Sequence, residues 1–118
     1  MFTLGFDKTR QCLVGIYKGM YSEEIFTACT DKVRSAVETN PCKRFVMDMR
    51  QADMLVKTID FKKWYFTLYK AGLDEEWKKV ILLPEDCYQE IADQQILKEY
   101  EDIRVSGNIK DAVQWLTT

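Results

Sequence analysis

The chain contains no histidine. That absence removes the Ser-His-Asp and Cys-His catalytic groups, histidine metal sites and histidine pH switches. Long apolar runs are missing too, so no membrane-spanning helix is expected. The start, Met1-Phe2-Thr3-Leu4-Gly5-Phe6-Asp7-Lys8, lacks the basic stretch and apolar core of a signal peptide, which favours a cytoplasmic protein. Prolines number two, and neither a repeat nor a low-complexity segment occurs, so residues 1–118 read as a single domain. The five glycines form neither G-x-G-x-x-G nor a phosphate loop, so no nucleotide or other cofactor is expected. The four cysteines, Cys12, Cys29, Cys42 and Cys87, include no C-x-x-C pair. Their wide spacing argues against a thiolate zinc site, and reduced thiols are expected, with no metal. Strong charge of one sign is also lacking: 17 basic against 19 acidic residues give a net charge of −2, which argues against nucleic acid as a partner.

What is present reads as alternating strands and helices. Phe2, Leu4 and Phe6 alternate as a short strand, and residues 11–18 form a second, joined by the polar turn Asp7 to Arg10. Ser22 caps a helix whose apolar stripe is Ile25, Phe26, Cys29, Val33, Ala36 and Val37, ended by Asn40-Pro41. Arg44 to Met49 is a third strand with Asp48 at its end, followed by a polar stretch from Arg50 to Lys57. Thr58 or Asp60 caps the next helix, which stops at Gly72. Lys79 to Leu83 is a fourth strand, Asp86 to Tyr100 a helix with Tyr88, Ile91, Ala92 and Ile96 on one side, Asp102 to Ser106 a fifth strand, and Ile109 to Leu116 a last helix. The expected fold is α/β: a five-stranded mixed, mostly parallel sheet with an N-terminal antiparallel hairpin, about four helices, and both faces covered.

The strand Phe45-Val46-Met47-Asp48-Met49 and the ending Ile103-Arg104-Val105 … Ala112-Val113-Gln114-Trp115-Leu116 carry a likeness. They resemble the STAS domain, and more closely the SpoIIAA-like group of small stand-alone bacterial proteins, whose fold is similar to that of the CRAL-TRIO lipid carriers. The resemblance spans nearly the whole chain. It implies a regulatory module and, in its best-known form, a serine phosphorylated by a partner kinase. Asp48 and Asp53 match the two acidic positions of that motif. The serine position holds Met54 or Leu55, and the nearest hydroxyl is Thr58.

Several side chains are candidates for function. Asp48 and Asp53 could form a paired carboxylate or instead order a loop, and Arg50 is placed to pair with either. Ligands of open parallel sheets bind at the carboxyl ends of strands near a change of strand order, which nominates Gly19, Met20, Asp48, Arg50, Asp53, Pro84, Glu85, Ser106 and Gly107. The strongest anomaly is five aromatics within nine residues: Phe61, Trp64, Tyr65, Phe66 and Tyr69. Phe61, Trp64, Tyr65 and Leu68 form the inner stripe of that helix. Trp64, Phe66 and Tyr69 are the interface candidates, with Phe66 or Tyr69 partly exposed at a subunit contact. Lys62, Lys63, Lys70, Lys78 and Lys79 read as a solvated face. Cys42 and Cys87 are candidates for exposure, while Cys12 and Cys29 read as core.

Three functions follow as expectations. The first is a non-enzymatic binding or regulatory module acting through a protein partner, self-association through the aromatic helix, or a small ligand. The second is an enzyme using Asp48 and Asp53. The third, implied by the resemblance alone, is a lipid or apolar-ligand carrier of the CRAL-TRIO type.

Overall fold

The turn that opens the fold is set by one carboxylate. Asp7 accepts hydrogen bonds from Thr9 N (3.0 Å) and Arg10 N (3.1 Å), and Gln11 takes a positive φ of 55°. These close the hairpin between β1 (Phe2–Asp7) and β2 (Cys12–Met20), paired antiparallel from Phe2↔Tyr17 to Asp7↔Cys12. The computed structural model describes residues 1–53, 60–92 and 99–118. Met54, Leu55, Thr58 and Ile96 lie outside the described residues, as do the side chains of Ile91 and Ala92.

Capping residues place the helices. Ser22 accepts from Ile25 N (3.1 Å) at the start of α1 (Glu23–Thr39). Asp60, rather than Thr58, caps α2 (Phe61–Lys70), accepting from Lys63 N. Gly72 ends α2 in the left-handed region (φ 103°), with Gly72 N donating to Tyr69 O (3.0 Å) and Leu73 N to Leu68 O (3.1 Å). That is a Schellman closure, which satisfies the last carbonyls of the helix. Asn108 caps α4 (Ile109–Leu116). Between them lie β3 (Arg44–Asp53), β4 (Lys78–Leu82), α3 (described over Glu85–Ala92) and β5 (Ile103–Ser106).

The sheet runs β1-β2-β3-β4-β5, with β2 to β5 mutually parallel. Because the strands add in one direction, right-handed crossovers carry α1, α2 and α3 to the same face. That face holds the main core, with Phe26, Val33, Phe61, Trp64, Leu68 and Cys87 packed on Leu13, Phe45, Met47 and Ile81. Among the described residues α4 alone reaches the other face, where Ala112 and Leu116 cover Val46, Val80 and Leu82. The expectation that both faces are covered is met only in part: among the described residues the second face is left open above β1, β2 and the nearer part of β3.

Two local features differ from the sequence reading. β3 continues through Asp53, so Asp48 lies inside the strand and not at its end. Ile16 pairs with Asp48 but Lys18 pairs with Gln51, which inserts one extra residue into β3. This bulge lets Met49 and Ala52 both face the main core despite their odd and even positions.

Candidate functional site

The open part of the second face forms a groove of about 620 Å³. Val14, Ile16, Val46 and Ile109 line its apolar floor, Asp48 and Arg50 one flank, and Asp7 and Arg10 another. A Cβ built on Gly5 would meet nothing within 4 Å, so the groove is open above β1.

Asp48 and Arg50 lie two residues apart on one strand. Arg50 donates from Nε to Asp48 Oδ1 (3.0 Å) and from Nη2 to Oδ2 (2.9 Å), and its backbone N–H adds a third bond to Oδ1 (3.1 Å). Burial pushes the Asp48 carboxyl up, but the guanidinium fork and the amide outweigh it and hold the group below the ordinary value. A carboxylate held ionised by three donors is suited to fixing a strand and presenting an arginine, not to exchanging protons with a substrate.

The other nominated residues are scattered. Asp53 pairs with Met20 while Asp48 pairs with Ile16, four β2 residues away. At ~3.3 Å per residue the two aspartates are separated by roughly 13 Å along the strand, beyond the spacing of a working carboxylate pair. The paired-carboxylate reading is corrected on that geometry. Gly19, Met20 and Asp53 do adjoin one another, with Tyr21 N donating to Asp53 O (3.0 Å), but at the far end of the strands from the groove. Pro84 and Glu85 follow β4, and Ser106 O accepts from Leu83 N across the β4–β5 junction; none of these joins the groove. Since the strands stand in chain order, the sheet has no reversal of strand order to create a binding crevice. Among the described residues no group of three or more acidic or thiol side chains could hold a metal ion.

The aromatic helix divides cleanly. Phe61, Trp64, Tyr65 and Leu68 are buried, while Phe66 (46% exposed) and Tyr69 (42%) face outward. Trp64 leaves the set of interface candidates at 2% exposure: it stacks on Phe26 (5.1 Å between ring centres) and donates its indole N–H to Tyr21 Oη. Phe66 lines a shallow groove of about 340 Å³ together with Asp60, Lys62, Lys63, Thr67 and Lys70. Lys63 is held by Glu23 of α1 at 2.7 Å.

One polar cluster escapes the sequence reading. Lys79 is fully buried, not solvated: Nζ donates to Leu73 O (3.1 Å), Asp74 O (2.7 Å) and the Asp102 carboxylate, and lies 5.1 Å from the Tyr65 ring centre. Burial lowers its pKa, partly offset by Asp102. Tyr65 donates its hydroxyl to Asp102 Oδ2 (2.9 Å), and burial, with that carboxylate beside it, pushes the phenol well up. With all three ammonium protons engaged, Lys79 ties the α2–β4 link to the start of β5 and is not available as a nucleophile. Cys87 is also buried, against the expectation of exposure.

No family model matches the chain, and neither does any curated protein. Solved structures do. The anti-sigma factor antagonist SpoIIAA in its unphosphorylated form superposes with a TM-score of 0.62 at 13% identity, over 99% of this chain and 96% of that one. The fold is SpoIIAA-like. An uncharacterised protein of the DUF3478 family from Shewanella loihica PV-4, itself described as having a SpoIIAA-like fold, superposes with a TM-score of 0.56 at 19% identity, over 98% and 93% of the two chains. Met54, Leu55 and Thr58, the positions that the sequence resemblance sets against a phosphorylated serine, lie outside the described residues. Among the described residues no helix is long and apolar enough to cross a membrane.

Proposed function

We propose that the protein is a non-enzymatic regulatory module that binds a partner protein through the outer face of α2. The observation that carries this reading is the exposure of Phe66 and Tyr69, one turn apart on a helix whose other large apolar side chains are buried. Aromatic anchors of this kind are enriched where interfaces form. The groove around Phe66 has Lys62, Lys63 and Lys70 at its rim against Asp60, which is engaged in capping the helix. Its positive rim suits a partner segment that presents an apolar side chain beside carboxylates. The SpoIIAA-like fold supports a regulatory role, since one of its members is an anti-sigma factor antagonist.

Asp48 and Asp53, the acids of the enzymatic reading, are not brought together, and the grooves seen among the described residues open to solvent rather than enclosing an acyl chain. The reading is tested with a photoreactive phenylalanine at position 66 in the host cell. A discrete protein adduct is expected there and not at exposed position 110 of α4. Lys62→Glu/Lys70→Glu should abolish it. An adduct at both positions, or at neither, would remove α2 as the contact.

A further inference from the structure

Sheet edges offer unpaired backbone groups, and proteins normally protect them with short strands, charges, prolines or bulges. The two edges of this sheet differ in that respect. β5 is four residues long and carries Arg104, whose Nη1 donates to Ile103 O (2.9 Å), a carbonyl that faces away from β4. The facing follows from the strand's alternation, because Asp102 O and Ser106 O accept from β4. β1 has few of these devices. Phe2-Thr3-Leu4-Gly5-Phe6-Asp7 holds no proline and no lysine or arginine, and it pairs with β2 in unbroken register. Its single charge, Asp7, is matched by Arg10 at 3.3 Å. Among the described residues β1 pairs with β2 alone.

The phase of the ladder shows which groups point outward. Met1 and Lys18 exchange backbone hydrogen bonds, at 2.6 and 2.9 Å. Alternation then turns Thr3, Gly5 and Asp7 toward β2, and leaves the N–H and C=O groups of Phe2, Leu4 and Phe6 on the open edge. These three residues also share one face of the strand, and Phe6 is 38% exposed.

We infer that β1 is a self-pairing edge, joining two copies antiparallel with Leu4 opposite its own counterpart. In that register Phe2 faces the second copy's Phe6, so all three hydrogen-bonded pairs are apolar on one side, and two of them are aromatic. Thr3 faces Gly5 of the second copy, where the absent side chain leaves open space. No like charges oppose one another. The two sheets become one of ten strands, and the edges that would otherwise template disordered aggregation are closed. A strand pairing alone buries less than the ~1,600 Å² of a standard interface, so the association is weak and concentration-dependent.

Sedimentation from about 10 μM to about 1 mM tests this, a range that spans weak association. The wild-type protein is expected to move toward twice the monomer mass, while the amides of Phe2, Leu4 and Phe6 gain protection from hydrogen exchange and those of Thr3 and Gly5 stay protected throughout. Thr3→Lys/Gly5→Lys changes two exposed positions and sets ammonium groups opposite each other, so it should hold the protein monomeric. Thr3→Lys/Gly5→Glu sets opposite charges across the same pairs and should restore the dimer in a salt-sensitive way, which separates pairing from failure to fold. Phe66→Ser/Tyr69→Ser should leave this dimer unchanged, since it involves no part of α2. A wild-type protein that stays monomeric with freely exchanging Phe2, Leu4 and Phe6 amides would overturn the inference. So would a dimer indifferent to Thr3→Lys/Gly5→Lys.

Discussion

Arg50 closes a two-pronged grip on Asp48, two residues earlier in the same strand, with both bonds at 3.0 Å or less. The pair sits next to the β3 bulge and flanks the open groove, so it links strand geometry to that part of the second face. The grip also makes the fold sensitive to acid.

Asp48 has an ordinary pKa of 3.8 and a lower one in the folded chain. Between those values the unfolded chain binds more protons than the folded one. The stabilisation is fully present above 3.8 and is lost as the pH falls through the lowered folded value. Urea midpoints measured across this acid window should fall for the wild-type chain. Asp48→Asn should lack that component and show a shallower decline, and identical declines would contradict the assignment.

Lys79 and Asp102 form a buried pair that also takes in the Tyr65 hydroxyl and two loop carbonyls. Lys79→Ala strands the Asp102 carboxylate, and a loss of about 3–5 kcal/mol is expected by urea denaturation. Adding Asp102→Asn to Lys79→Ala should recover part of that loss, because the uncompensated charge is removed. A Lys79→Ala cost under about 1 kcal/mol would show that the cluster is not buried as described.

Gly72 carries both a backbone and a packing demand. Its φ of 103° disfavours any side chain, and a Cβ there would lie 3.1 Å from Val37 Cγ1. Gly72→Ala should destabilise the protein by roughly 1–2 kcal/mol, seen as a lower melting temperature with unchanged helix content below it. No change in melting temperature would argue against the left-handed closure of α2.

Much of this architecture is legible in the sequence because its signals are local. Ser22, Gly72 and Asn108 mark helix ends by chemistry that acts within three residues, and the stripe Phe61, Trp64, Tyr65 and Leu68 follows helical spacing. What the residues hide is non-local. Arg50 to Asp53 look like loop, because pairing with Lys18 to Met20 of β2, and not composition, extends β3 through them. Lys79 reads as solvated, since the carboxylate that compensates it lies 23 residues away. The groove follows from strand order, which sends three helices to one face, and no single residue announces it. The outward turn of Phe66 and Tyr69 is legible as a surplus over one helical stripe, but the burial of Trp64 depends on Tyr21 and Phe26 from elsewhere in the chain.

Phe66 and Tyr69 lie at the edge of the core, about half-exposed. Phe66→Ser/Tyr69→Ser should leave stability within about 1 kcal/mol of wild type. A larger loss would mean that these rings belong to the core.

One titration tests α2 as a binding surface most directly. With the partner captured at position 66 in hand, its affinity is measured for the wild-type protein and for Phe66→Ser/Tyr69→Ser, alongside the melting temperature of each. The account predicts a loss of at least ~30-fold in affinity with no matching loss of stability, the mark of an interface anchor. Affinity unchanged by the double substitution would contradict it.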